Sequence, residues 1–180
     1  MKRKELALDG CYLFKGDRYV DPIMGEEFFN YQKHADFGTK TVFTYHFEME
    51  MPKPNVLRGF YIQNTPMAQN FMMRCGSGAI EITLLDLRDK SPTYLEHTSV
   101  TLSFDNGDSI FFPSGVAYAA RSLEEDSQLY CMVDQALTMS MNLTINVFDP
   151  ALNCTWPEDV AMSAIERCAP KLEELGYNYW

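Results

Sequence analysis

Apolar and polar residues alternate with period two along TVFTYHFE (residues 41–48) and AIEITLLDL (79–87). That is the pattern of a strand with one buried face. VLRGFYIQ (56–63) is an almost unbroken apolar run with one arginine and one glycine inside it. SVTLSF (99–104), IFFP (110–113), VAYAA (116–120), QLYCMV (128–133) and LTINV (143–147) continue the series. Turn-forming segments such as RDKSP and DNGDS separate them. Short strands at this spacing predict an all-β sandwich or barrel. Helical periodicity is confined to PEDVAMSAIERC and PKLEEL, with Pro170 interrupting it. No repeat or linker divides the chain, so a single domain over 1–180 is expected.

Composition narrows the class. Of 180 residues, 46% are hydrophobic and 13% aromatic, enough for a substantial core and unlike a disordered chain. No apolar run reaches the roughly 20 residues of a membrane helix, and the basic start MKRKELALDG lacks the apolar stretch of a secretory signal. The formal net charge of -10 argues against general nucleic-acid binding. It leaves room for one anionic small molecule held by a local arginine. Five dispersed cysteines, Cys11, Cys75, Cys131, Cys154 and Cys168, without a CxxC pair, predict reduced thiols and a cytoplasmic protein. His34, His46 and His97 show no metal-ligand spacing, and no glycine-rich phosphate loop or GxSxG is present. We therefore expect no metal on histidine or cysteine ligands, with carboxylate-only sites left open by the spacing, and no cofactor. His46 and His97 are expected at the surface or in hydrogen bonds.

The series VLRGFYIQNTPMAQNFMMRCGSGAIEITLLDLRDKSPTY resembles the dTDP-4-dehydrorhamnose 3,5-epimerase family of nucleotide-sugar epimerases. FFPSGVAYAA, QLYCMVD, FDPALNCTWP and MSAIERCAPKLEEL resemble later motifs of that family, in the same order. The likeness runs from about residue 56 to 175 and is weak over the first 55 residues. It implies a double-stranded β-helix, the cupin-type jelly-roll barrel, with short C-terminal helices. On that reading residues 1–55 are N-terminal strands and an arm, 56–157 the barrel and 158–180 a helical segment. It also implies a homodimer without metal or cofactor, acting on a dTDP- or UDP-linked 4-keto-6-deoxy sugar. In such chemistry a base removes the weakly acidic proton beside the ketone, and a donor or cation supports the enolate oxygen.

By this resemblance Tyr61 stands where the family has its catalytic histidine, and Glu166 where it has the aspartate that orients it. Tyr130 matches the proton-donating tyrosine. Arg58, Phe71, Tyr118 and Gln63 fall at substrate-binding positions. Phe71 replaces a lysine, Tyr118 a second histidine, and Ala136 the tyrosine that stacks on the base. The arm DPIMGEEFFNYQ lacks the family's arginine. Arg58 is either an anion-binding group or half of an internal ion pair with Glu48 or Glu81. A tyrosine used as base starts from a pKa of about 10, which costs about 4 kcal/mol at neutral pH. A catalytically silent barrel, with Phe60, Phe71, Tyr118 and Tyr130 lining an apolar cavity, is the other expectation open at this point.

Overall fold

The structure is a computed structural model and describes residues 3–29 and 41–175. His34 and the end of the arm motif beyond Phe29 lie outside them. The strands are β1 (Arg3–Glu5), β2 (Tyr12–Phe14), β3 (Asp17–Asp21), β4 (Gly25–Phe29), β5 (Tyr45–Met51), β6 (Leu57–Gln63) and β7 (Phe71–Ser77). There follow β8 (Ala79–Asp86), β9 (His97–Ser103), β10 (Ser109–Phe112), β11 (Val116–Ser122), β12 (Ser127–Val133) and β13 (Asn142–Thr144). One sheet has the order β1-β2-β10-β7-β12-β5, the other β13-β6-β11-β8-β9, and β3 and β4 form a hairpin. Every ladder between named strands is antiparallel. Two such sheets packed face to face make the jelly-roll barrel that the sequence implied.

The main core lies between the sheets. Met49, Met51, Met73, Leu129 and Cys131 come from one, and Ile80, Ile82, Leu84 and Tyr118 from the other. A second cluster, with Leu57, Phe60, Ala117 and Ala119, covers the outer face of the five-stranded sheet under Ile145, Val147, Leu152 and Trp156. Small residues in VAYAA therefore have a use: Ala117 and Ala119 pack outward under the C-terminal segment while Tyr118 and Ala120 point inward.

Three details differ from the expected layout. β1, β2 and β5 belong to the six-stranded sheet, so the barrel takes in chain well before residue 56. The strand expected over 41–48 begins at Tyr45, and the one expected over 143–147 ends at Thr144. The helical stretch expected from Pro157 narrows to one α-turn, α1 (Ala164–Arg167), with 3-10 turns at Pro150–Leu152 and Leu172–Leu175. Helical spacing there reflects chain laid over an apolar sheet face, where tertiary contacts override local propensity.

Beyond β8 the chain is pinned by a buried acid. Asp86, fully buried, accepts from Arg88 Nε at 2.8 Å, Arg88 Nη2 at 2.7 Å and Thr93 Oγ1 at 2.7 Å. Burial pushes its pKa up, and the hydrogen bonds from Arg88, Ser91 and Thr93 outweigh it and hold the carboxyl below its ordinary value. The motif DLRDKSPTY thus encodes a turn closed by one carboxylate.

Candidate functional site

The alternation of β6 is broken once, and that break builds the site. In the pairing of β11 with β6, Tyr118 faces Tyr61 and Ala120 faces Arg58, so two steps on β11 match three on β6. The extra residue is a β-bulge. It turns Arg58, Tyr61 and Gln63 to the cavity side and Leu57, Phe60 and Ile62 to the outer cluster. Gly59 makes it possible. Its φ is +110°, and a Cβ there would lie 2.6 Å from the Tyr118 carbonyl oxygen and 2.9 Å from Ala119 Cα. The glycine beside the arginine is thus a packing requirement, and Phe60 does not line the cavity.

The cavity holds about 740 Å³. Phe47, Met49 and Phe71 form one wall, Arg58, Tyr61 and Tyr118 the other. Leu137, Met139 and Ile165 stand exposed around the mouth. The size and the mostly apolar lining with a few convergent polar groups suit a small organic ligand.

Those polar groups meet at Glu166. Ser163 is the N-cap of α1, its side chain accepting from Glu166 N at 3.3 Å while Ser163 N donates to Glu166 Oε2 at 3.1 Å. This reciprocal capping box fixes the Glu166 rotamer. The other oxygen, Oε1, accepts a hydrogen bond from Tyr61 Oη. Arg58 Nε lies 3.9 Å from the same oxygen, with the arginine side chain 37% exposed and the glutamate side chain 7%. Arg58 therefore pairs with Glu166, and neither Glu48 nor Glu81 is its partner; Glu81 is bound by Arg121 at 2.8 Å. Burial, reinforced by the hydrogen bond to Glu166, pushes the Tyr61 phenol up to about 12, with Arg58 pulling the other way. Tyr61 is a protonated donor at neutral pH.

Tyr118 is 4% exposed, and its ring stands edge-on to Tyr61 with centroids 5.7 Å apart. Phe71 and Phe112 pack its other side, at 5.1 and 5.9 Å. Gln63 reaches the site as frame. Its amide donates to the carbonyls of Met67 and Ala136 and accepts from Thr138 N at 2.7 Å, tying two mouth loops together. Both of its N–H donors are thereby taken, and neither is left for a ligand.

Tyr130 does not join this group. On β12, Leu129, Cys131 and Val133 fill the core, while Tyr130 faces outward and is 40% exposed. Its ring covers Gly76 on β7, where a Cβ would come within 1.8 Å of Tyr130 Cε2. Side chains alternate across a strand, so a one-residue slip between motif and register moves a residue to the opposite face. Cys131 takes the inward place beside it. The sequence signal that marks Ser163 is the capping-box pattern S-A-I-E at residues 163–166.

A second hollow of about 370 Å³ lies on the outer face of the five-stranded sheet. Arg121 is bound to Glu81, Thr83 to Ser99 at 2.9 Å, and His97 to the Asn153 carbonyl at 3.3 Å, while the buried Arg121 Nε has no hydrogen-bond partner among the described residues. Among the described residues no cluster of three His, Cys, Asp or Glu side chains gathers as a metal site, and no helix is long and apolar enough to cross a membrane.

Comparison with known proteins gives one consistent result. The profile of the dTDP-4-dehydrorhamnose 3,5-epimerase family matches residues 5–174. A dTDP-4-dehydrorhamnose 3,5-epimerase from Sinorhizobium fredii is 30% identical over 125 residues, 68% of this chain and 64% of that protein. The match thus spans just under two thirds of that relative. Another from Mycobacterium tuberculosis is 24% identical over 180 residues, 97% of this chain and 89% of that protein. A crystal structure from Legionella pneumophila, a 3,5-epimerase in complex with dTDP-4-keto-L-rhamnose, superposes with a TM-score of 0.89 at 21% identity, covering 97% of this chain and 94% of that one. At that identity it shows the shared fold.

Proposed function

Because the chain belongs to the dTDP-4-dehydrorhamnose 3,5-epimerase family, whose members are sugar epimerases, we propose that it inverts a carbon beside the ketone of a dTDP- or UDP-linked 4-keto-6-deoxy sugar. The observation that carries this is the Tyr61–Glu166–Arg58 cluster in the wall of the cavity. In this chain Tyr61 and Phe71 replace the histidine and lysine of the family, so the proton is handled differently.

Tyr61 is a poor base by itself. Ionising a phenol of pKa about 12 at pH 7 costs roughly 7 kcal/mol, at about 1.4 kcal/mol per pH unit. The hydrogen bond to Glu166 supplies an alternative. The C–H proton passes to Tyr61 Oη as the phenolic proton passes to Glu166 Oε1. The C–H electron pair moves into the carbonyl and forms the enolate. One negative charge leaves the carboxylate and one appears on the enolate, so charge balances. Arg58 lies 3.9 Å from the oxygen that receives the proton and holds a positive charge at the edge of the reacting cluster. With Tyr130 facing away, the returning proton comes from water at the mouth, and Phe71 offers an apolar surface to the sugar.

The test is incubation with dTDP-4-keto-6-deoxyglucose in deuterated water. Deuterium at C3 or C5 is the expected result. No incorporation across a panel of dTDP- and UDP-linked 4-keto sugars would overturn the reading, and binding without exchange would make the barrel a binding module.

We further propose that two copies pair through the outer face of the six-stranded sheet. Tyr130 and Met132 are exposed there, 40% and 42%, beside the apolar cluster of Phe14, Met72 and Phe111. Analytical ultracentrifugation reads this directly, a monomer at micromolar concentration being the contrary result. A cytoplasmic setting fits five unpaired thiols.

A further inference from the structure

Two phenols stand side by side in the cavity wall, and only one is in use. Tyr61 and Tyr118 face each other across the β6–β11 ladder. The Tyr61 hydroxyl is committed to Glu166. The Tyr118 hydroxyl has no hydrogen-bond partner among the described residues, its neighbours being the rings of Tyr61, Phe71 and Phe112. Nor is it sealed in the core, since its residue lines the cavity. A buried tyrosine hydroxyl ordinarily finds a partner. One that opens on a cavity without one is placed for an acceptor atom on a ligand.

We propose that Tyr118 is the hydrogen-bond donor to the carbonyl oxygen of the sugar, and so to the enolate oxygen that forms when the neighbouring carbon loses its proton to Tyr61. The inference rests on the epimerase reading of the same cavity and names a group that reading does not use. Position and chemistry agree. Enolate formation places negative charge on one oxygen, and a donor fixed beforehand in a dry site stabilises that charge more than the starting carbonyl. Phe71 and Phe112 exclude water from one side of the phenol. Burial holds the Tyr118 pKa well above the ordinary tyrosine value, so it remains a donor throughout the working pH range. Phe71 leaves no ammonium group on this side to do the same work. The two tyrosines divide the chemistry: Tyr61, backed by a carboxylate, takes the proton, and Tyr118, backed by hydrocarbon, holds the oxygen.

The test compares Tyr118→Phe with the wild type by deuterium exchange into dTDP-4-keto-6-deoxyglucose, with thermal midpoint and calorimetric dTDP binding measured alongside. The expected result is a fall in kcat of about 100- to 1,000-fold, with KM and dTDP affinity each within about threefold and the midpoint unchanged. If Tyr118→Phe does not fold, 3-fluorotyrosine at position 118 keeps the shape while making the phenol more acidic. A few-fold rise in kcat is then expected, and an unchanged kcat overturns the proposal. Exchange by the wild type with an equally active Phe variant overturns the role of Tyr118 alone. No exchange by the wild type on any 4-keto sugar overturns the epimerase reading and this inference with it.

Discussion

Glu166 is one carboxylate with three obligations: to the Ser163 amide, to Tyr61 and to Arg58. Glu166→Gln keeps the shape and removes the carboxylate that accepts the proton in the proposed mechanism. Exchange is expected to fall about 100- to 10,000-fold, the range ascribed to general-base groups, as deuterium NMR would read. Tyr61→Phe removes the hydroxyl that the proposed mechanism sets against the substrate, and its exchange is expected to fall as far. The elevated Tyr61 pKa has a sign that can be checked. The native value, about 12, exceeds the unfolded value of about 10. The unfolded chain therefore loses this proton first as pH rises. Stability from the protonated phenol is complete below about pH 10 and is lost as pH climbs through about 12. Alkaline unfolding curves should show Tyr61→Phe falling less steeply than wild type over that window. The sequence displayed Arg58, Tyr61 and Glu166 as a set through family motifs, and the structure brings them together. It could not display the direction of Tyr130, because alternation along β12 depends on a register that the motif spacing leaves open by one residue.

At the scale of elements, a bulge and a one-turn helix assemble the cavity wall. Gly59→Ala places a Cβ against the β11 backbone at a φ that side chains avoid. The loss should be about 2–4 kcal/mol in urea unfolding, the sum of strain and displaced backbone. Binding should weaken too, since Arg58 and Tyr61 share a face only through that bulge. Ser163→Ala removes an N-cap and is expected to cost about 1 kcal/mol of stability. It also frees the Glu166 rotamer, so kcat should fall more than the stability loss explains, with dTDP binding retained. The strands were legible because alternation and turn residues mark them in the chain. The bulge was not, since a glycine within an apolar run serves a close backbone approach or a kink equally well. The C-terminal helix is shorter than its periodicity predicts because its apolar positions answer to the sheet beneath them.

For the molecule as a whole, the Asp86 network ties the turn after β8 to the N-terminal segment, Arg88 Nη2 donating to the Asp9 carbonyl at 2.7 Å. Asp86→Asn leaves a partly buried arginine, 22% exposed, facing a neutral amide and should destabilise the fold by about 2–3 kcal/mol at pH 7. The native Asp86 pKa lies below the unfolded one, so the carboxylate stabilises above the unfolded value and loses its effect as pH falls through the depressed one. The gap between mutant and wild type should therefore close on acidification below about pH 4. Fold class could be inferred at this scale because a run of short strands admits few architectures.

The Gln63 amide has a bearing on how a ligand arrives. One buried side chain clips the carbonyls of Met67 and Ala136 and the amide of Thr138, so the rim of the mouth has its shape before anything enters. A rim held in this way spends no free energy on ordering itself around a guest. Entry then resembles a key meeting a finished lock, and discrimination among ligands falls to the contours of the mouth at first encounter.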